Sequence, residues 1–121
     1  MINRCITIIT GRLGKDPEIW ETQSGKKKAT LTVAVDFGWG DRRETEWFYI
    51  VVWDKTAEFA DNYLHKGDIV SAQGAFRSRE YESNGDKKRV WELRATDLQA
   101  IYGRGNDDYP VVSEEDGDLP F

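Results

Sequence analysis

Glu46-Trp47-Phe48-Tyr49-Ile50-Val51-Val52-Trp53 reads as a strand that is apolar on both sides. Its period of two places Phe48, Ile50 and Val52 on one face, a core set, and Trp47, Tyr49, Val51 and Trp53 on the other. Such a strand has to be covered twice. The second cover could be another subunit, another layer of the same chain, or a ligand. Directly after it comes the chain's only helical pattern, in residues 55–64. There apolar side chains recur at Ala57, Ala60, Tyr63 and Leu64, and Gly67 is placed to end the helix.

Outward from this pair, both flanks read as strands. Residues 4–13, Arg-Cys-Ile-Thr-Ile-Ile-Thr-Gly-Arg-Leu, are β-branched and partly alternating, and Gly14-Lys15-Asp16-Pro17 breaks them. Gln23-Ser24-Gly25 marks a turn before residues 29–35, a second strand with Leu31, Val33 and Val35 on one face. Residues 69–81 form a long strand, with Gly74 at a bulge or bend. Ser83-Asn84-Gly85-Asp86 is a hairpin turn, and residues 88–101 return as the last strand. Three strands, a short helix and two strands give the order of an all-β, five-stranded Greek-key OB-fold barrel with its helix between strands three and four. Another small β-barrel or sandwich is the alternative.

At 121 residues the chain is expected to hold one domain and a tail. No apolar run reaches membrane-spanning length and no signal peptide opens the sequence, so a cytoplasmic location is expected. A lone cysteine excludes an intramolecular disulfide and fits a reducing compartment; its place in the first strand reads Cys5 as a small buried hydrophobe. One His and one Cys are too few for a Cys/His zinc site, and neither metal nor cofactor is expected. His65 reads as a surface residue at the helix end, without a nucleophile or acid in sequence reach. Gly11-Arg12-Leu13-Gly14 is too short for a phosphate loop, and no helix follows it. No catalytic constellation emerges, so a non-enzymatic protein is expected.

The net charge of −5 divides unevenly. All 17 basic residues lie in residues 1–104, against 16 of the 22 acidic ones, while residues 105–121 carry acids alone. A mildly basic body thus joins an acidic tail, and the field that matters is local to the body. The domain division follows: 1–104 as the binding and oligomerisation domain, 105–121 as a short linker and tip. The tip, Asp116-Gly117-Asp118-Leu119-Pro120-Phe121, has no periodicity and cannot build a core. It reads as a disordered hook for a basic, hydrophobic pocket on a partner protein. Phe121 would fill that pocket, Asp116, Asp118 and the terminal carboxylate would meet Lys or Arg, and Leu119 and Pro120 belong to the same partner-binding tip. A solvated acidic tail is the alternative.

Five Trp, five Tyr and five Phe are a heavy aromatic load for this length. Trp39 sits in Phe37-Gly38-Trp39-Gly40-Asp41-Arg42-Arg43, a loop that cannot hide it, and Tyr81 follows Arg77 and Arg79 near the last hairpin. Aromatic faces stack on bases of any kind and cations neutralise phosphates, so this interleaving suits single-stranded nucleic acid. For Trp47 and Trp53 the alternative is a core or subunit-interface role. Trp20 is ambiguous, and Trp91, at strand spacing from Leu93 and Ala95, reads as readily as core.

Four segments resemble the bacterial-type single-stranded-DNA-binding proteins. They are Gly11-Arg12-Leu13-Gly14-Lys15-Asp16-Pro17-Glu18; Thr45-Glu46-Trp47 running into Val51-Val52-Trp53; Ala57-Glu58 with Asn62-Tyr63-Leu64-His65-Lys66-Gly67; and the closing Asp118-Leu119-Pro120-Phe121. The resemblance implies an OB-fold homotetramer that protects and organises single-stranded DNA in replication, recombination and repair, and recruits partner proteins through its tip. It places Trp39, Trp47, Trp53 and Tyr81 at base-stacking positions. Arg4, Arg42, Arg43, Lys55, Lys66, Arg77 and Arg79 are the phosphate-contact candidates. The linker is shorter than in many members, Trp20 and Trp91 depart from the pattern, and Glu80 beside Tyr81 is expected to weaken backbone contact. The compact form fits a bacterium, phage, plasmid or organelle alike. An RNA-binding or primosome-type adaptor is the rival binding module, and an OB-fold nuclease the rival enzyme.

Overall fold

The computed structural model describes residues 4–102; the expectations for the tail fall outside them. Its strands are β1 (Thr7–Leu13), β2 (Glu18–Glu21), β3 (Lys27–Phe37), β4 (Glu44–Trp53), β5 (Ile69–Ser83) and β6 (Asp86–Tyr102). Among the described residues one α-helix, α1 (Asp54–Tyr63), joins β4 to β5, and one 3-10 turn, Gly40–Arg42, lies between β3 and β4. The sheet order is β1-β5-β6-β4-β3-β2, and β1 also pairs with β3 at Arg12 and Leu13. That last pairing closes five strands into a barrel, with β2 as an added strand on β3. This is the OB fold expected from the order of elements.

Alternation determines the core. Leu31, Val33, Ile50, Val52, Val70 and Leu93 are fully enclosed, joined by Leu13 and Ile9. Each large aliphatic side chain so buried contributes about 1.5–3 kcal/mol. Phe48 and Phe76 pack edge to face at the rim, with ring centroids 6.5 Å apart. The helix closes one end of the barrel through Ala57, Ala60 and the following Leu64. Lys27 on β3 ties it down, its ammonium donating to Asp61 at 3.0 Å. That hydrogen bond raises the Lys27 pKa above its usual value, against a smaller opposing effect of desolvation.

The turn chemistry follows the sequence. Asn84 and Gly85 both have positive φ, 54° and 83°, as a two-residue hairpin turn requires. The β5–β6 register slips between Gln73 and Gly74, where a side chain would run into the carbonyl of Arg94. Gly67 differs from expectation. The helix ends at Tyr63 with Leu64 as its cap, and Gly67 serves the following turn, donating its N–H to the Leu13 carbonyl at 2.9 Å. Tyr63 lies outside on Phe59 rather than in the core. Cys5 is exposed and precedes β1, which begins only at Thr7, so it is not the buried hydrophobe expected. The segment expected to hold only a break and a turn contains β2. His65 is exposed, with its backbone N–H donating to Asp68 Oδ2 at 2.9 Å.

Candidate nucleic-acid interface

The β3–β4 ladder pairs Lys28 with Trp53, Thr30 with Val51, Thr32 with Tyr49 and Ala34 with Trp47. These are the residues that alternate with the core set, so they form the outer face of the sheet. β6 runs parallel to β4 and sets Glu92 beside Tyr49 and Arg94 beside Val51. β5 then brings Arg77 opposite Glu92, Arg79 opposite Val90 and Tyr81 opposite Lys88. One face therefore carries Trp47, Tyr49, Trp53 and Tyr81 together with Lys28, Arg77, Arg79 and Arg94.

Its rings are accessible. Trp47 is 55% exposed and Trp53 42% exposed, while Val51 between them is buried. Lys28 Nζ lies 5.6 Å from the centre of the Trp53 ring, and the Arg79 guanidinium 5.9 Å from that of Tyr81. Both pairs set a cation beside a π-face. Trp47 lies over Gly14, where a Cβ would collide with the outer atoms of its indole. The backbone of the β1–β2 turn thus supports that ring.

Glu92 organises the cations. Its side chain is buried and would be costly there alone. Arg79 Nε donates to Oε1 at 3.1 Å, and Arg94 Nε lies 3.4 Å from Oε2. Each carboxylate oxygen thus holds one arginine in place, leaving their terminal nitrogens to carry the remaining donors. Glu80, expected to disturb this region, alternates to the opposite face and pairs with Arg89 at 3.2 Å.

The other sequence candidates lie around this face. Trp39 is 85% exposed at the tip of the β3–β4 connection, with Arg42 lining the hollow beside it. Arg43 lies 3.7 Å from Asp36, which also accepts the Thr45 hydroxyl at 2.6 Å. Lys66 sits beside the β1–β2 turn, its N–H donating to Asp16 at 2.8 Å. Arg4 is exposed ahead of β1. Lys55 follows Trp53 but borders a hollow with Glu21, Asp54 and Glu58, an acidic setting. Trp91 is not a core residue: it faces the opposite side from Glu92, half exposed, and stacks on Phe76 at 5.5 Å and 19°. Tyr49, Lys28 and Arg94 were missing from the candidates, although simple alternation with Ile50, Ala29 and Leu93 places all three on the face.

Fold and face together are those of an OB barrel with an aromatic and cationic outer sheet. A family model described as the single-strand binding protein family matches residues 3–101, and the chain belongs to that family. Single-stranded DNA-binding protein 1 of Chlorobaculum tepidum is 38% identical over 101 residues, covering 78% of this chain and 62% of that protein. The single-stranded DNA-binding protein of Neisseria meningitidis serogroup A is 32% identical over 114 residues, covering 89% of this chain and 66% of that one. This chain therefore spans somewhat under two thirds of the length of both. Single-stranded DNA-binding protein 1 of Staphylococcus aureus is 37% identical over 112 residues, covering 89% and 70%. A structure described as a Plasmodium falciparum SSB complex with ssDNA superposes with a TM-score of 0.72 at 29% identity, covering 84% of this chain and 96% of that one.

The contact between Gly14 and Trp47 is testable. A methyl group at Gly14 meets the far end of a side chain, so the barrel should survive while the indole turns away. Gly14→Ala should change the near-ultraviolet circular dichroism and lower urea stability by about 1–3 kcal/mol, the usual cost of overpacking. In a Trp47→Ala background most of that loss should vanish, a coupling that a double-mutant cycle measures. An equal loss in both backgrounds would place the strain elsewhere.

Proposed function

We propose that this protein binds single-stranded DNA without strong sequence preference and so protects and organises it, without itself being an enzyme. The observation that carries the reading is the outer side of β4. Trp47, Tyr49 and Trp53 stand exposed on one side there, with Lys28 on β3, Arg94 on β6 and Arg79 one strand further on β5. Every base has a π-face, so stacking on this row accepts any sequence. A duplex hides those faces and would be disfavoured. Trp39 and Tyr81 extend the stacking surface. Arg77, Arg42, Arg43, Arg4, Lys66 and, less favourably placed, Lys55 supply phosphate contacts. The relatives' printed names and the single-strand complex of the structural neighbour support the same reading.

Binding should quench tryptophan fluorescence, and affinity should fall with salt as phosphate contacts release counterions. Trp53→Ala should weaken binding to a homopolymer oligonucleotide by about 1–3 kcal/mol while the fold persists. A folded variant with unchanged affinity would remove Trp53 from the site. Preference for RNA of the same sequence would turn the reading toward an RNA-binding module.

Self-association belongs to the same proposal, four copies being the number the family resemblance implies. The second apolar face of β4 was its motive in the sequence, but those rings lie on the face assigned to DNA. β1 offers a better surface. Ile6 and Ile8 are exposed, and Thr7–Gly11 pairs only with β5, leaving one strand edge open among the described residues. Sedimentation equilibrium should give a multiple of 13.9 kDa, near four, and Ile8→Asp should lower it. A monomer mass for the unaltered protein would refute the association.

The division at residue 104 and the tail's role complete the proposal. Asp116, Asp118, Leu119, Pro120 and Phe121 would dock replication, recombination and repair proteins. Deleting residues 118–121 should leave DNA affinity intact or slightly raised, because an anionic segment competes for the basic face. Partner binding should be lost, as read by surface immobilisation of full-length and truncated protein. Equal partner binding by the truncated form would reduce the tail to a solubilising segment.

A further inference from the structure

We propose that the cleft between β2 and the β5–β6 hairpin takes one additional nucleotide of the bound strand, its base stacked on Trp20 and its phosphate held by Lys28 and Arg79. This rests on the single-strand reading above and extends the DNA path onto β2, beyond the barrel strands.

The placement of Trp20 follows from register. β2 pairs with β3 so that Trp20 faces Lys28, and Lys28 in turn faces Trp53 on β4. Trp20, Lys28 and Trp53 form a row across three adjacent strands on the outer face. Two strand spacings, about 10 Å, separate the two indoles, and the lysine stands between them. Trp20 is 57% exposed and makes no ring or cation–π contact among the described residues. β2 anchors itself on the core through Ile19 instead, so packing gives no reason for an indole at Trp20.

The cleft has a nucleotide's complement of groups. Its volume is about 340 Å³, and it is open to solvent along one side. Trp20 and Tyr81 line opposite walls, Tyr49 and Glu92 lie between them, and Lys28 and Arg79 supply positive charge. The two carboxylates at its border do not repel a phosphate strongly. Glu92 is neutralised by Arg79 and Arg94, and Glu18 lies 3.4 Å from Lys15. Because Arg79 is fixed by Glu92 and lies against Tyr81, one wall is organised before any ligand arrives.

The test uses the full chain and oligo(dT) of increasing length, followed by fluorescence at fixed salt. Trp20→Ala should weaken binding roughly 5–150-fold, the equivalent of one stacked base, and shorten the length at which affinity saturates. Trp20→Phe, which keeps a π-face, should recover most of the loss. Ultraviolet cross-linking of the unaltered protein to oligo(dT) should also label the tryptic peptide 16–26, in which Trp20 is the sole aromatic residue. If Trp20→Ala binds like the unaltered protein while Trp53→Ala is weakened, the strand does not enter the cleft and this inference alone falls. Equal losses in the Ala and Phe variants, or no label on that peptide, overturn it as well. If the unaltered protein binds no single strand, the broader reading falls with it.

Discussion

The β3–β4 ladder governs the rest of the structure. Ten consecutive residue pairs run from Lys28–Trp53 to Phe37–Glu44. They fix at once which side of each strand closes the barrel and which side faces outward. Because side chains alternate, a slip of one residue on β4 would exchange Phe48, Ile50 and Val52 for Trp47, Tyr49 and Trp53. Three indole and phenol rings would then have to enter the space now filled by Phe48, Ile50 and Val52. Leu31 and Val33, fully buried opposite Ile50 and Phe48, hold the register from β3. The core therefore selects the aromatic outer face by exclusion: whatever the barrel cannot enclose is displayed.

Glu92 applies the same logic to charge. A carboxylate buried on the sheet would cost several kcal/mol without partners. Arg79 on the adjacent β5 and Arg94 two residues along β6 flank it, each taking one oxygen. The pairing is no argument for added stability, since an apolar side chain could fill the same space. Its consequence is geometric. Two long, rotamer-rich side chains are held in place on the face, so less of their freedom remains to be lost when an anion binds. A near-neutral body of residues 1–104 can thus present a local cationic patch while the whole chain is acidic.

Most of the barrel was legible in the sequence because its strands are long and alternate. β4 reads from Glu46, two residues inside its start at Glu44; β3 is longer than its reading by two residues at each end, β5 by two at its end, and β6 by two at its start and one at its end. Asn84-Gly85 determines its turn through positive φ at both positions, which few residue pairs accept. What escaped had short or conflicting signals. A four-residue strand offers too few positions to show a period, so β2 was hidden between a proline and a turn. Cys5 lies among β-branched neighbours, yet pairing begins only at Thr7. Tyr63 fits the helical spacing, but Leu64 beside it takes the core contact while Tyr63 packs on Phe59 outside.

The site shows a sharper difference between what sequence specifies and what packing adds. Trp47, Trp53 and Tyr81 could be named from their neighbours, yet Trp47 and Trp53 kept an alternative as core or interface residues. Deciding between those readings required knowing whether another layer of the chain covers their side of β4. Once that side is known, alternation adds Tyr49, Lys28 and Arg94 without further information. Trp91 shows the limit of the rule. It shares the inward side with Leu93, but the β5–β6 hairpin outruns the barrel, and at Trp91 that side no longer meets a filled core. Phe76 covers one face of its ring, and the remainder is open. Alternation therefore assigns a side, and strand length beyond the barrel decides whether that side is interior.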